Sequence, residues 1–202
     1  MQASAIILAG GKSNRMGTNK ALLKINNKPS IERIRDRLRP YFHEMVLVTN
    51  DPQEYKFLGL KMTADQHPGM GPLAGLYAGL TASECDMNLL TACDMPFVSG
   101  ELASVLVSLC GSHDAVVPVI DGNEHPLFAV YHKRILEKTA KRLEEEKLSM
   151  KNLLSQLNVR YVTAAELGGF SELGELFFNM NRPNEYEEAK RRAKVEDIRD
   201  LF

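Results

Sequence analysis

Cysteine is scarce in this chain. Cys85, Cys93 and Cys110 are the only thiols among 202 residues, and no two share a CxxC spacing. An odd, scattered set excludes a disulfide framework and reads as buried free thiols in a reducing compartment. The five histidines show neither HxxxH nor HExxH spacing, so no zinc site is legible. No apolar run approaches the roughly 20 residues of a membrane span. The opening MQASAIILAGG has no basic n-region and its apolar stretch stops after a few residues, so no signal peptide is expected. Repeats, linkers and charged tails are missing as well. The absences leave a cytoplasmic protein, away from membranes, folding as a single domain over residues 1–202 and long enough to bury a sizeable core.

Net charge is also nearly absent, at −1, but it is unevenly spread. Residues 1–40 carry nine Lys and Arg against Glu32 and Asp36, which gives +7 and leaves −8 for the remainder. A basic end on a neutral chain suits a small phosphorylated ligand. A nucleic-acid duplex needs a wider basic footprint. Arg33, Arg35, Arg37 and Arg39 read as a solvated helix face, whereas Lys12, Arg15 and Lys20 sit inside a Gly-rich loop.

Short apolar runs at Ser4–Leu8, Met45–Thr49, Met87–Ala92, Ala115–Ile120 and Leu127–Tyr131 read as strands. Helical patterns lie between them at Ile31–Leu38, Leu73–Ala82, Glu101–Leu109 (capped by Ser99 and stopped at Gly111) and Ile135–Glu146, with a last helix starting near Pro183. Alternation of this kind predicts a Rossmann-like three-layer α/β/α fold on a mainly parallel sheet. Asp121-Gly122-Asn123 predicts a hairpin, which makes the sheet partly mixed. Ligands bind such sheets beyond the carboxyl ends of the strands. The Gly-rich loop, Asn50-Asp51 and Cys93-Asp94 all follow strands, so all three are expected on one edge.

The first loop runs Leu8-Ala9-Gly10-Gly11-Lys12-Ser13-Asn14-Arg15-Met16-Gly17-Thr18-Asn19-Lys20. Successive glycines turn the backbone tightly and aim its N–H groups at an anion. Arg15 offers a planar fork for phosphate oxygens and Lys20 a mobile point charge. Neither Walker A nor GxGxxG fits: Gly11 to Gly17 is one residue too long for the first, and adjacent glycines break the second.

The pattern LAGGxSxRMGxxK resembles the molybdenum cofactor guanylyltransferases (MobA family) and, more distantly, the wider nucleotidyltransferase superfamily. Asp65, the run Pro68–Gly75, Cys93–Pro96, His125-Pro126 and Asn179–Pro183 extend the resemblance in order along most of the chain. Where the family often has Thr, this chain has Arg182. The resemblance implies that GMP passes from GTP to the terminal phosphate of molybdopterin, with Mg2+, releasing pyrophosphate. It implies Arg15, Lys20 and Asp94 as catalytic, with Asp94 also holding the metal. It implies Leu8, Ala9, Gly10, Gly11, Lys20, Asn50, Asp65, Gly71, Pro72, Leu73 and Asp94 as nucleotide contacts. His125, Asn179 and Asn181 are expected on the acceptor, so residues up to about 110 would bind nucleotide and those from about 111 the acceptor. Partners would be GTP, molybdopterin and, transiently, proteins that supply or receive the cofactor.

Three alternatives stay open at this point. Gly11 favours guanylyl over cytidylyl transfer to molybdopterin, because the cytidylyl relatives usually read LAAG. The absence of a C-terminal hexapeptide repeat weighs against many sugar-phosphate enzymes. Binding without turnover would not require Arg15, Lys20 and Asp94 together.

Overall fold

A computed structural model describes residues 2–9, 19–170 and 173–199. Among these residues ten strands form in chain order: β1 (Ser4–Leu8), β2 (Lys24–Ile25), β3 (Lys28–Pro29), β4 (Glu44–Val48), β5 (Lys61–Thr63), β6 (Met87–Ala92), β7 (Ala115–Ile120), β8 (Asn123–Glu124), β9 (Phe128–His132) and β10 (Val159–Thr163). The same described residues form seven α-helices: α1 (Ser30–Leu38), α2 (Gly71–Ala82), α3 (Gly100–Ser108), α4 (Leu136–Glu144), α5 (Met150–Leu154), α6 (Leu173–Leu176) and α7 (Pro183–Arg199).

The main sheet has the order β10-β7-β9-β6-β1-β4-β5, with β8 paired to β7. β1 lies between β4 and β6, parallel to both, and β5 continues the parallel set. β9 runs antiparallel to β6 and β7, so the sheet is mixed as expected. Asp121 and Gly122, both at positive φ, form a two-residue turn between β7 and β8. β2 and β3 form a separate small hairpin through Asn26-Asn27.

Alternation along β1 sends Ala5 and Ile7 to one face and Ile6 to the other, and each face is covered. Ile31, Ile34 and Leu38 of α1 join Leu102 and Leu106 of α3 on the first face. Leu73 and Leu76 of α2 join Leu143 of α4 and Leu153 of α5 on the second. The three-layer arrangement is therefore present. A third, smaller cluster sets Ala189 and Ala193 of α7 and Met180 against Ile25 and Phe97.

Three strands and the Ser99 cap (Leu102 N–H to its Oγ, 3.1 Å) lie where the sequence places them. β4 and β9 are displaced by one residue from their apolar runs, and α2 begins at Gly71 rather than Leu73. The fourth expected helix is shortened: Lys133–Ile135 is a 3-10 turn, and Glu146 turns the chain out at φ 53. α5, α6, β10 and the β2–β3 hairpin were not expected.

Candidate active site

The site begins with register. Leu8 lies opposite Val48 on β4 and Ala92 on β6, so three parallel strands release the chain at one level. The exits are tied together, Ala9 N–H donating to Val48 O (3.0 Å) and Cys93 N–H to Leu8 O (3.1 Å). On the flank, Thr49 N–H donates to Thr63 O at 2.9 Å. The start of the first loop at Leu8-Ala9, Asn50 and Asp94 therefore leave the sheet at one carboxyl edge, as expected.

On the β4–β5 side, Asn50 Oδ1 accepts from Asp65 N–H (2.9 Å), and Asp65 Oδ1 accepts from His67 N–H (2.8 Å). Both side chains thus shape the turn after β5. Thr49, Asn50, Pro52, Met62, Thr63 and Ala64 line an open cleft of about 300 Å³. Gly71, Pro72 and Leu73 start α2, which packs unusually close to β1. A Cβ at Gly75 would stand 2.8 Å from Leu8 Cδ2, and one at Gly79 would overlap Ile6 Cγ2.

On the other side stand Lys20, Asp94 and Asn181. Lys20 opens a 3-10 turn, Lys20–Leu22, and its Nζ donates to Asn181 Oδ1 at 2.9 Å. Asp94 follows β6, and its carbonyl accepts from Met180 N–H at 2.9 Å, pinning the chain before α7 to the sheet edge. Burial raises the Asp94 carboxyl above its usual range, with Glu185 pushing the same way; Lys20 and the residue's own N–H oppose them. Burial likewise pushes the Cys93 thiol up to about 12, with the Asp94 charge acting in the same direction, which favours the protonated thiol. Cys110 is buried and Cys85 half-buried, and none of the three forms a disulfide.

The acceptor candidates meet through one strap, residues 177–181. The His125 ring stacks on Phe177 with centroids 4.3 Å apart, and burial lowers its pKa against the opposing pull of Asp121. Asn179 turns its amide N–H2 back to Phe177 O at 3.2 Å. Asn181 reaches Lys20, as above. The strap therefore links His125 to the Lys20–Asp94 pair, although Asn179 points along its own segment. Gly10, Gly11 and Arg15 lie outside the described residues.

Three residues were missed. Glu185 Oε2 accepts from Asn181 N–H (2.5 Å) and Arg182 N–H (2.9 Å), which is half of a capping box for α7. Pro183 followed by Glu185 was a readable signal for it. Glu54 and Tyr55, which hold Asn19, left no local pattern.

An open mixed sheet with its polar groups gathered at one carboxyl edge is an α/β architecture built for ligand handling there. Residues 5–161 match the family model described as the MobA-like NTP transferase domain; the chain belongs to that family and is a nucleotidyltransferase. A relative from Natranaerobius thermophilus, named a probable molybdenum cofactor guanylyltransferase, is 36% identical over 194 residues, covering 93% of this chain and 95% of its own. Another of that name, from Peptoclostridium acidaminophilum, is 36% identical over 207 residues, covering 96% and 94%. Among solved structures, molybdopterin-guanine dinucleotide biosynthesis protein A from Archaeoglobus fulgidus superposes with TM-score 0.83 at 26% identity, over 95% of this chain and 99% of that one. A cytidylyltransferase for 2-C-methyl-D-erythritol 4-phosphate from Thermus thermophilus (TM-score 0.72, 18% identity, 96% and 100% covered) shares the fold. Among the described residues, no helix is long and apolar enough to cross a membrane.

Proposed function

We propose that this enzyme transfers GMP from GTP to the terminal phosphate of molybdopterin. An acceptor phosphate oxygen bonds to the α-phosphorus of GTP, the bond to the β-phosphate bridging oxygen breaks, and pyrophosphate leaves with the electron pair. The observation that carries the reading is the meeting of Lys20, Asp94 and Asn181 where β1 and β6 end. Both reactants are anions, so the work is alignment and neutralisation of charge, without a covalent protein intermediate. The choice of GTP and molybdopterin rests on the names of relatives that match nearly the whole chain.

Asp94 fits Mg2+. Its carboxylate is desolvated, Lys20 is the positive charge acting on it, and among the described residues no side chain hydrogen-bonds it. No cluster of three or more His, Cys, Asp or Glu forms among the described residues, and magnesium does not ask for one. It prefers one or two carboxylates together with phosphates and water. When bound, the metal supplies Lewis-acid polarisation of phosphate oxygens. Lys20, with Arg15, neutralises the triphosphate and the departing pyrophosphate. Leu8, Ala9, Gly10, Gly11, Gly71, Pro72 and Leu73 border the nucleoside. Asn50 and Asp65 face its hydroxyls or the donor edge of guanine, which neither adenine nor cytosine presents. His125, Asn179 and Asn181 hold the acceptor.

Equimolar GTP and CTP offered with molybdopterin and Mg2+ decide the base, with the product identified by mass. GMP incorporation in large excess is the expected outcome. Equal incorporation of CMP would remove the guanylyl assignment and leave the nucleotidyltransferase standing.

A further inference from the structure

Asn19 immediately precedes Lys20, and every polar atom of its side chain is engaged. Its Oδ1 accepts from Ala21 N–H at 3.1 Å, capping the turn Lys20–Leu22. Its Nδ2 donates to Glu54 Oε2 and to Tyr55 Oη, both at 2.8 Å. A carboxylate only accepts, so Glu54 fixes which way the amide faces. Tyr55 is 1% exposed and belongs to the core beside α1, so its oxygen is a fixed point of the molecule. Burial pushes this phenol up to about 12, so it keeps its proton across the neutral range.

Glu54 and Tyr55 come from the 3-10 turn Pro52–Leu58, which begins two residues beyond Asn50. Asp51 N–H donates to Thr49 Oγ1 (3.1 Å), which ties the start of that turn to the end of β4. One short segment thus joins the strand end carrying Asn50 to the turn carrying Lys20. A lysine stem has four rotatable bonds, and ordering it costs on the order of 2 kcal/mol. Fixing the backbone at its root removes part of that cost before any phosphate arrives. Displacement of a charge by about 1 Å can lower a rate a hundredfold.

We propose that Tyr55 and Glu54 are positioning residues for nucleotidyl transfer, acting through Asn19 to aim the Lys20 ammonium at the triphosphate. The proposal rests on the reading of Lys20 as a phosphate ligand. Calorimetry with GTP and with guanosine, alongside kcat and KM, tests it. Tyr55→Phe keeps the buried ring and should weaken GTP binding roughly three- to tenfold, the worth of one hydrogen bond, while sparing guanosine. Asn19→Asp should do at least as badly, because a carboxylate then faces Glu54. Adding Glu54→Gln reverses the donor and acceptor and should restore GTP binding to wild type within about twofold. In a Lys20→Ala background, Tyr55→Phe should cost nothing further.

Equal losses for GTP and guanosine, the same Tyr55→Phe penalty with and without Lys20, or no rescue by the paired substitution would each overturn the positioning role. Should Lys20→Ala alone weaken GTP and guanosine equally, the phosphate reading of Lys20 falls and the proposal with it; that single variant separates the two failures.

Discussion

Lys20 and Asn181 are 161 positions apart in the chain, and the lysine ammonium donates to the asparagine Oδ1 at 2.9 Å. The bond closes the site from both ends of the sequence. Between the two residues the strands bring up Asp94, and the strap before α7 is fastened to that residue's carbonyl.

If Asp94 serves the transfer as proposed, it should set activity against stability. Its folded pKa is raised, so the acid's contribution to stability is whole below the ordinary carboxylate pKa and is lost as pH rises through the folded value. At neutral pH the ionised group therefore costs stability. Asp94→Asn should raise the thermal unfolding midpoint, or leave it in place, while turnover at saturating Mg2+ falls by roughly two orders of magnitude or more. A variant with unchanged turnover would take Asp94 out of the mechanism.

His132 should govern part of the acid response. Its Nδ1 accepts from Arg134 N–H (3.1 Å), a bond that needs the neutral ring, and burial and then Arg134 lower its pKa from 6.5. A depressed pKa gives stability that is present above the unfolded value and lost as pH falls through the folded one. His125 titrates in the same sense. His132→Asn keeps an acceptor for the cap without the charge, so its denaturation midpoint should fall less steeply than wild type over the acid range. Parallel profiles would count against the cap.

The two close glycines of α2 should respond differently. Gly→Ala within a helix gains about 1 kcal/mol of propensity. At Gly79 the added methyl meets Ile6, wholly buried on β1, and overpacking of this kind costs about 1–3 kcal/mol. At Gly75 it meets only the end of Leu8, which can move. Chemical denaturation should show Gly79→Ala destabilised and Gly75→Ala near wild type.

Arg182 leaves the α7 cap half made. Glu185 takes the backbone N–H of Arg182, but arginine has no oxygen to return to the helix. Arg182→Thr would complete the box and should add about 1 kcal/mol to unfolding stability. No gain in the denaturant midpoint would mean that the first turn of α7 is satisfied already.

Much of the frame was readable because burial on both faces leaves a plain mark. Ser4–Leu8, Met87–Ala92 and Ala115–Ile120 are mostly apolar runs, with Asn88 and Thr91 the polar interruptions of the second, and their strands start and stop where the runs do. Asp121-Gly122 announced its turn by chemistry alone. β10 escaped notice because it is an edge strand, half exposed and carrying Arg160. The placing of Leu8, Asn50 and Asp94 at one edge followed from strand ends, yet the hold of Tyr55 on Asn19 did not. That contact spans 36 positions and depends on how a 3-10 turn lies over the core, which no local pattern records.

The strap at residues 177–181 also fixes when the site can come into being. A ribosome releases β1, β4 and β6 long before Met180 and Asn181, so a growing chain can close the edge between those strands while Asp94 O and Lys20 Nζ still lack their later partners. The candidate site is thus complete only once residues 177–181 have emerged, and a chain halted before them carries the strand edge without its closing strap.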